Sequence, residues 1–120
     1  MRIFKNTRFT RYADKENISD NELKEAVSQL EIGKTEANLG GNVYKVRVAR
    51  HNEGKSGGYR VIVLFRNGDK TFYVYGFAKS EKDNINEKEL KNIKEIAKDY
   101  FSLTAEQLEK RKKCGQLIEL

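Results

Sequence analysis

Lys45 and Arg47 are the residues whose spacing most directly suggests chemistry. They alternate with Tyr44, Val46 and Val48 in the two-residue period that is typical of a strand, so both cations are expected on one face. Two like charges about 6.5–7 Å apart on one face repel each other unless an anion or water separates them. Phosphate oxygens fit this spacing, although a solvent-facing strand explains the pair alone equally well.

Arg60 and Lys79 extend the basic pattern onto the two strands predicted to follow. Arg60 comes directly after Gly57-Gly58-Tyr59, and a guanidinium held there has the fork geometry that binds phosphate. A salt bridge that braces the sheet is the competing role. Lys79 ends the next antiparallel strand, which should bring it towards Arg60. Four cations from three strands are therefore predicted to converge, as donors to a developing negative charge must.

Further polar residues flank this predicted patch. His51 is the only imidazole of the chain, and it is a candidate for acid–base chemistry, although a lone histidine is more often structural or exposed. Lys55 lies in a glycine-rich segment, within a polar connection predicted over residues 50–58. The residues predicted to contact RNA are Arg50, His51, Lys55 and Lys82.

The net charge of +6 is concentrated in the middle third of the chain. Residues 43–82 hold nine Lys or Arg and three Asp or Glu, whereas the two flanking segments are each balanced. This distribution indicates a polyanionic partner that meets one face of the fold. An ordinary solvated basic surface is the alternative.

Several classes of protein are disfavoured by composition. One cysteine excludes an internal disulfide framework, and one cysteine with one histidine excludes a zinc site built from those ligands. No run approaches the roughly twenty apolar residues of a membrane helix, and the N-terminus lacks a secretory apolar stretch. We therefore expect one cytoplasmic domain over residues 1–120, with no cofactor and no metal.

The elements that must position these side chains begin with two helices. Residues 2–5 are predicted to form a first strand, and Thr7 is predicted to cap a short helix. Ser19 and Glu22 form a capping box before an amphipathic helix that ends near Gly33.

A three-stranded antiparallel meander is predicted next. It begins at Val43, and the unbroken apolar run of residues 61–65 indicates a central strand covered on both faces. Asn67-Gly68 is a hairpin turn signal, so residues 71–79 form the returning strand. The fold class is therefore α+β: an antiparallel sheet, made of the meander and the N-terminal strand, packed with N-terminal helices and a C-terminal helix.

The C-terminal third is predicted to be mostly helical. Asn86 can cap a third helix, and residues 104–113 are predicted to form a fourth. Residues 117–120 are either an edge strand or a tail docked on the core.

The order of several segments resembles a known family. The strand of residues 44–48 is followed by Gly-Lys-Ser-Gly-Gly-Tyr-Arg at 54–60 and Tyr-Gly-Phe-Ala-Lys at 75–79. Together with residues 39–41 and 115–119, these segments resemble the RelE/HigB-type toxins of bacterial toxin–antitoxin modules. The branch that carries those two motifs is the most similar.

The resemblance implies a RelE-like fold, with helices packed on one side of an antiparallel sheet. It also implies a ribosome-dependent endoribonuclease, which cuts mRNA in the ribosomal A site by attack of the RNA 2′-hydroxyl on the adjacent phosphate. The family's basic strand residues correspond to Lys45 and Arg47, its phosphate-binding arginine to Arg60 and its later basic residue to Lys79. The implied partners are the ribosome, mRNA and an antitoxin, expected to be a helix-turn-helix protein, and no membrane.

One departure from the family leaves the proton-transfer groups open. Some relatives carry a catalytic tyrosine where this chain has Ile85. Lys45 could act as the base if crowding by Arg47 and Arg60 favours its neutral form, and His51 is the alternative. Two other functions compete with the nuclease: a non-catalytic inhibitor that binds RNA or the ribosome, or serves as antitoxin corepressor, and a ParE-like inhibitor of gyrase. The predicted convergence of cations favours RNA over gyrase.

Overall fold

The computed structural model describes residues 1–50, 54–78 and 84–120, with only the backbone for residues 49, 50 and 54–57. Within these ranges the chain forms four helices and one six-stranded sheet. The elements in chain order are β1 (Arg2–Asn6), α1 (Thr7–Glu16), α2 (Asp20–Glu31), β2 (Ala37–Gly40), β3 (Val43–Arg50), β4 (Gly54–Phe65), β5 (Lys70–Ala78), α3 (Glu87–Phe101), α4 (Ala105–Lys113) and β6 (Leu117–Glu119). The strands lie in the order β2-β3-β4-β5-β1-β6.

The central meander is confirmed. Strands β3, β4 and β5 are antiparallel neighbours, and their register places Arg47 opposite Arg60. The turn between β4 and β5 contains Gly68 at a φ of 75°, a left-handed conformation that glycine adopts without strain. The α+β class predicted from the sequence is therefore the observed one.

The N-terminal strand joins this sheet in a parallel orientation. Strand β1 pairs with β5 in parallel, with Phe4 opposite Phe72. Because these two strands are far apart in sequence, no hairpin forces them to be antiparallel. The C-terminal segment, left open between two interpretations, is the edge strand β6, and Leu120 N donates a 2.9 Å hydrogen bond to Ile3 O.

Helices cover both faces of the sheet, so the expectation of helices on one side is wrong. Val61 and Val63 of β4 pack in a cluster with α1 and α2. Ile62 and Leu64, which alternate with them, pack in a second cluster with α3 and α4. The unbroken apolar run of β4 is the physical reason, since each of its faces needs an apolar cover.

The helix caps follow the sequence with one correction. Both predicted caps at Ser19 and Asn86 are present, each as a reciprocal capping box. The cap of α1 is Asn6 and not Thr7, because Asn6 has the extended backbone of a cap and its Oδ1 accepts a 2.8 Å hydrogen bond from Phe9 N.

The polar connection predicted over residues 50–58 is shorter than expected. Strand β3 continues to Arg50, β4 begins at Gly54, and these two residues are partners in the ladder. The ladder continues at Val48 opposite Tyr59, with a shift of register between Val48 and Arg50. Among the described helices, none is long and apolar enough to cross a membrane.

Candidate functional site

Three of the predicted cations meet at a single carboxylate. The Oε1 atom of Glu36 lies 2.8 Å from Arg47 Nε and 3.1 Å from Arg60 Nε. Its Oε2 atom lies 3.8 Å from Lys45 Nζ. We call these four residues the Glu36 cluster. The predicted convergence of Lys45, Arg47 and Arg60 is therefore present, and it is centred on an acidic residue that the sequence analysis did not single out.

The backbone explains why Glu36 reaches the cations. Gly40 and Gly41, both at positive φ, turn the chain between β2 and β3. This turn folds the segment before β2 back along β3, where Glu36 N donates a 3.0 Å hydrogen bond to Lys45 O. The hydroxyl of Thr35 donates to the same carbonyl at 2.9 Å. Glu36 is thus fixed beside the strand that carries two of its three partners.

The members of the cluster differ sharply in exposure. The side chain of Arg47 is 44% exposed, that of Lys45 is 13% exposed, and Arg60 is almost fully buried at 3%. Arg60 also donates from Nη1 to Gly58 O at 3.4 Å. Within the cluster, Arg47 is therefore the cation most accessible to a dissolved ligand. Arg60 forms a salt bridge with Glu36, which was the alternative to phosphate binding for this residue.

The charge of Glu36 is set by opposing effects. Burial raises the pKa of its carboxyl, but the hydrogen bond from Arg47 and the charges of Arg60, Lys45 and Arg47 together outweigh burial, so the pKa lies below its ordinary value. The carboxylate is ionised at neutral pH, and the cluster carries two net positive charges. It can therefore still attract an anion.

Lys45 has a second partner that links the cluster to the chain before α3. Its Nζ lies 3.4 Å from Asn84 Oδ1, which also accepts a 2.9 Å hydrogen bond from Ile85 N. The side chain of Ile85 packs against the core cluster shared with α3 and α4. An aliphatic side chain cannot transfer a proton, so Ile85 supplies no acid or base.

The remaining predicted site residues lie outside the described part of the structure. His51, Lys79 and Lys82 fall in the segments that it does not describe, and the side chains of Arg50 and Lys55 are not described either. The approach of Lys79 to Arg60, and the RNA contacts assigned to the others, stay predictions.

A groove adjoins the Glu36 cluster. It has a volume of about 660 Å³ and runs between α2 and β3, with Glu36 and Arg47 among its lining residues. Ala26 and Val46 contribute apolar surface, and Glu25 contributes a carboxylate on the α2 side. The cluster therefore opens beside a concave surface rather than on a flat sheet.

Comparison with known proteins places the chain in a family. The family model described as RelE toxin of the RelE/RelB toxin–antitoxin system matches residues 1–120. The fold and this match define the class of the protein as the toxin of a toxin–antitoxin system. The chain belongs to the RelE toxin family, and an antitoxin is its partner. A comparison with curated proteins found no match.

Proposed function

We propose that this toxin is a ribosome-dependent mRNA endoribonuclease that inhibits translation. The observation that supports it most is the convergence of Lys45, Arg47 and Arg60 on one anionic position. The Glu36 carboxylate occupies that position in the free protein, and its oxygens stand where phosphate oxygens would be held by the same donors. Membership of the RelE toxin family supports the ribosome and mRNA as targets.

The proposed chemistry is attack of the RNA 2′-hydroxyl on the adjacent phosphate. Negative charge builds on the phosphate oxygens as the bond forms, and fixed cations lower the energy of that state. Arg47 is exposed enough to make the first contact, and its planar guanidinium suits a pair of phosphate oxygens. Further proposed contributors are Lys79, Arg50, His51, Lys55 and Lys82.

The identity of the proton-transfer groups is narrowed by Glu36. The Nζ atom of Lys45 lies 3.8 Å from the Oε2 atom of Glu36. As an ammonium group, Lys45 is better suited to donate a proton to the leaving 5′-oxygen. His51 remains a second candidate for acid–base chemistry.

The proposal includes the cellular setting. The toxin domain comprises residues 1–120, acts in the cytoplasm without a cofactor, and is blocked by an antitoxin of the helix-turn-helix class. Similarity to the HigB-type branch, on the motifs at residues 54–60 and 75–79, supports that choice of antitoxin.

A non-catalytic inhibitor that docks on ribosomal RNA is the second candidate. The burial of Arg60 at 3% favours it, because an arginine so enclosed cannot meet a phosphate without rearrangement. In that case the Glu36 cluster would bind RNA through Arg47, and the RNA would not be cleaved.

The test is an mRNA cleavage assay with purified protein, with and without translating ribosomes, in which 5′ ends are mapped by primer extension. We expect cuts only with ribosomes, and we expect Arg47→Ala to remove most of them. Arg11→Ala, a charge removed from an exposed position on α1, is the matched control and should cut like the wild type. Inhibited translation without cuts would replace the nuclease with the docking function.

A further inference from the structure

Glu36 is an acidic residue in the middle of a site for anions. A carboxylate among Lys45, Arg47 and Arg60 competes with phosphate for the same donors and reduces the positive charge that attracts RNA. For a protein that only binds RNA, a neutral residue at this position would serve better. The carboxylate pairs with the buried Arg60, and its place among the phosphate donors also lets it take part in a reaction there.

The two oxygens of Glu36 differ in their partners. Oε1 accepts hydrogen bonds from Arg47 and Arg60. Oε2 is buried and accepts no hydrogen bond from any residue that the structure describes, with Lys45 Nζ 3.8 Å away. A buried carboxylate oxygen without a donor is costly, so this atom is poised to accept a hydrogen bond from a group that the free protein lacks.

Binding of an RNA phosphate would draw Arg47 away from the Oε1 atom of Glu36 and open a path to the carboxylate. Arg47 is the most exposed of the three cations, and a guanidinium that turns towards phosphate gives up its bond to Glu36. Arg60, held in the sheet beside Gly58 O, remains to fix the carboxylate. In RNA each 2′-hydroxyl lies next to a phosphate, so a phosphate bound by Arg47, whose Nε is 2.8 Å from Glu36 Oε1, brings a 2′-hydroxyl to the side of the cluster where the carboxylate lies.

We propose that Glu36 is the general base of the cleavage reaction and that Arg60 is the residue that positions it. This inference rests on the proposed nuclease function. Glu36 Oε2 accepts the proton of the 2′-hydroxyl while the 2′-oxygen forms its bond to phosphorus. The bond from phosphorus to the 5′-oxygen breaks, and that oxygen takes a proton from the Lys45 ammonium group. The products are a 2′,3′-cyclic phosphate and a 5′-hydroxyl.

The same pair of residues resets the site after each turnover. Protonated Glu36 and neutral Lys45 face each other at 3.8 Å, so a proton can pass from the acid to the amine. The described charged groups that face Glu36 are Lys45 and Arg47 of β3 and Arg60 of β4. The same groove is also lined by Lys34 and, from α2, by Glu22 and Glu25. The cations keep the carboxylate ionised and ready for the next substrate.

The test compares Glu36→Gln with the wild type under single-turnover conditions on mRNA bound to ribosomes. We expect the cleavage rate to fall about 10²–10⁴-fold, the contribution typical of a general base. Affinity for the ribosome–mRNA complex should stay the same or increase, because the variant removes a negative charge from the phosphate site. Glu36→Asp, which keeps the carboxylate, should recover part of the rate.

The matched control is Glu106→Gln, which removes the same charge from an exposed position on α4 and should cleave at the wild-type rate. Thermal unfolding of each variant shows whether it is folded. If Glu36→Gln does not fold, the cleavage rate of Glu36→Asp is compared with that of the wild type instead. If Glu36→Gln binds the ribosome–mRNA complex more tightly but cleaves at the wild-type rate, Glu36 is not the base, although the protein is still a nuclease. Absence of cleavage by the wild type would instead overturn the nuclease, and Glu36 as its base with it.

Discussion

Arg47 and Arg60 are direct neighbours on adjacent strands, yet their surroundings give them different tasks. Both donate from Nε to the same Glu36 oxygen, but the side chain of Arg47 is 44% exposed and Arg60 is enclosed. An exposed arginine can exchange a carboxylate for a phosphate at low cost. A buried one has lost its hydration already and keeps its partner.

Replacement of Arg60 should reduce cleavage strongly. We expect Arg60→Ala to lower the rate about 10²–10³-fold, the loss typical for one fixed donor, because Glu36 loses its buried partner and the site loses a cation. Single-turnover cleavage on ribosome-bound mRNA measures this. Arg66→Ala removes an arginine just after the end of β4, about 20 Å from Arg60 along the chain, and should cleave normally. Cleavage by Arg60→Ala at the wild-type rate would count against any role for the Glu36 cluster in catalysis.

Replacement of Arg47 should change how salt affects RNA binding. Each phosphate contact to single-stranded RNA contributes about 0.7 to the slope of log K against log salt concentration. We expect Arg47→Ala to reduce the magnitude of that slope by about 0.7, measured by titration of a short single-stranded RNA at several salt concentrations. An unchanged slope would mean that Arg47 does not contact phosphate.

At the scale of elements, an ion pair fastens the two strands at one edge of the sheet. Arg2 of β1 reaches Glu119 of β6 through two hydrogen bonds, 2.9 Å from Nε and 3.0 Å from Nη2. Lys112 of α4 adds a third at 2.8 Å. The hydrogen bond from Arg2, opposed by burial and aided by Lys112, lowers the pKa of the Glu119 carboxyl to about 2.

This pair should make stability depend on acid pH. A carboxyl whose pKa is lowered by folding contributes stability above its ordinary value of 4.5, and that contribution is lost as the pH falls through the folded value of about 2. Glu119→Gln should therefore be less stable than the wild type at pH 7, and the difference should shrink between pH 4.5 and 2. Urea unfolding across this range measures it. Glu95→Gln, at an exposed pair with Lys98, is the control and should cost little at any pH.

A close contact between β5 and α1 gives a second prediction at this scale. A Cβ atom added to Gly76 would lie 2.5 Å from a ring carbon of Tyr12, too close for the two to coexist without a shift. We expect Gly76→Ala to destabilise the fold by about 1–3 kcal/mol through overpacking, as measured by urea unfolding. The penalty should shrink in a Tyr12→Ala background, and an equal penalty in both backgrounds would contradict this cause.

Local sequence signals predicted most of the elements. The capping boxes at Ser19 and Asn86 and the Asn67-Gly68 turn act over a few residues, so they can be identified without knowing the tertiary fold. The cap of α1 was predicted one residue too late because Asn6 and Thr7 are adjacent and both are good capping residues. The parallel pairing of β1 with β5 is different in kind, because it depends on which edge of the meander remains open after the strands have assembled.

For the whole molecule, the basic middle third predicted that Lys45, Arg47 and Arg60 converge, but not that an acidic residue lies between them. Alternation along one strand was enough to place Lys45 and Arg47 on one face. Glu36 is their partner because the turn at Gly40 and Gly41 brings it beside β3. The spacing of the cations along the sequence carries no information about this contact. Reading that turn as a hairpin would have placed Glu36 beside β3. The contributions of Lys79 and His51 stay predictions, since neither lies in the described part of the chain.

The chemistry of the RNA ends tests the central claim most directly. mRNA on translating ribosomes is treated with the purified toxin, and the new ends are identified by mass spectrometry. The account predicts a 2′,3′-cyclic phosphate on the upstream fragment and a 5′-hydroxyl on the downstream fragment, because the 2′-oxygen is the nucleophile and the 5′-oxygen leaves. A 5′-phosphate on the downstream fragment, or arrested translation with intact mRNA, would contradict it.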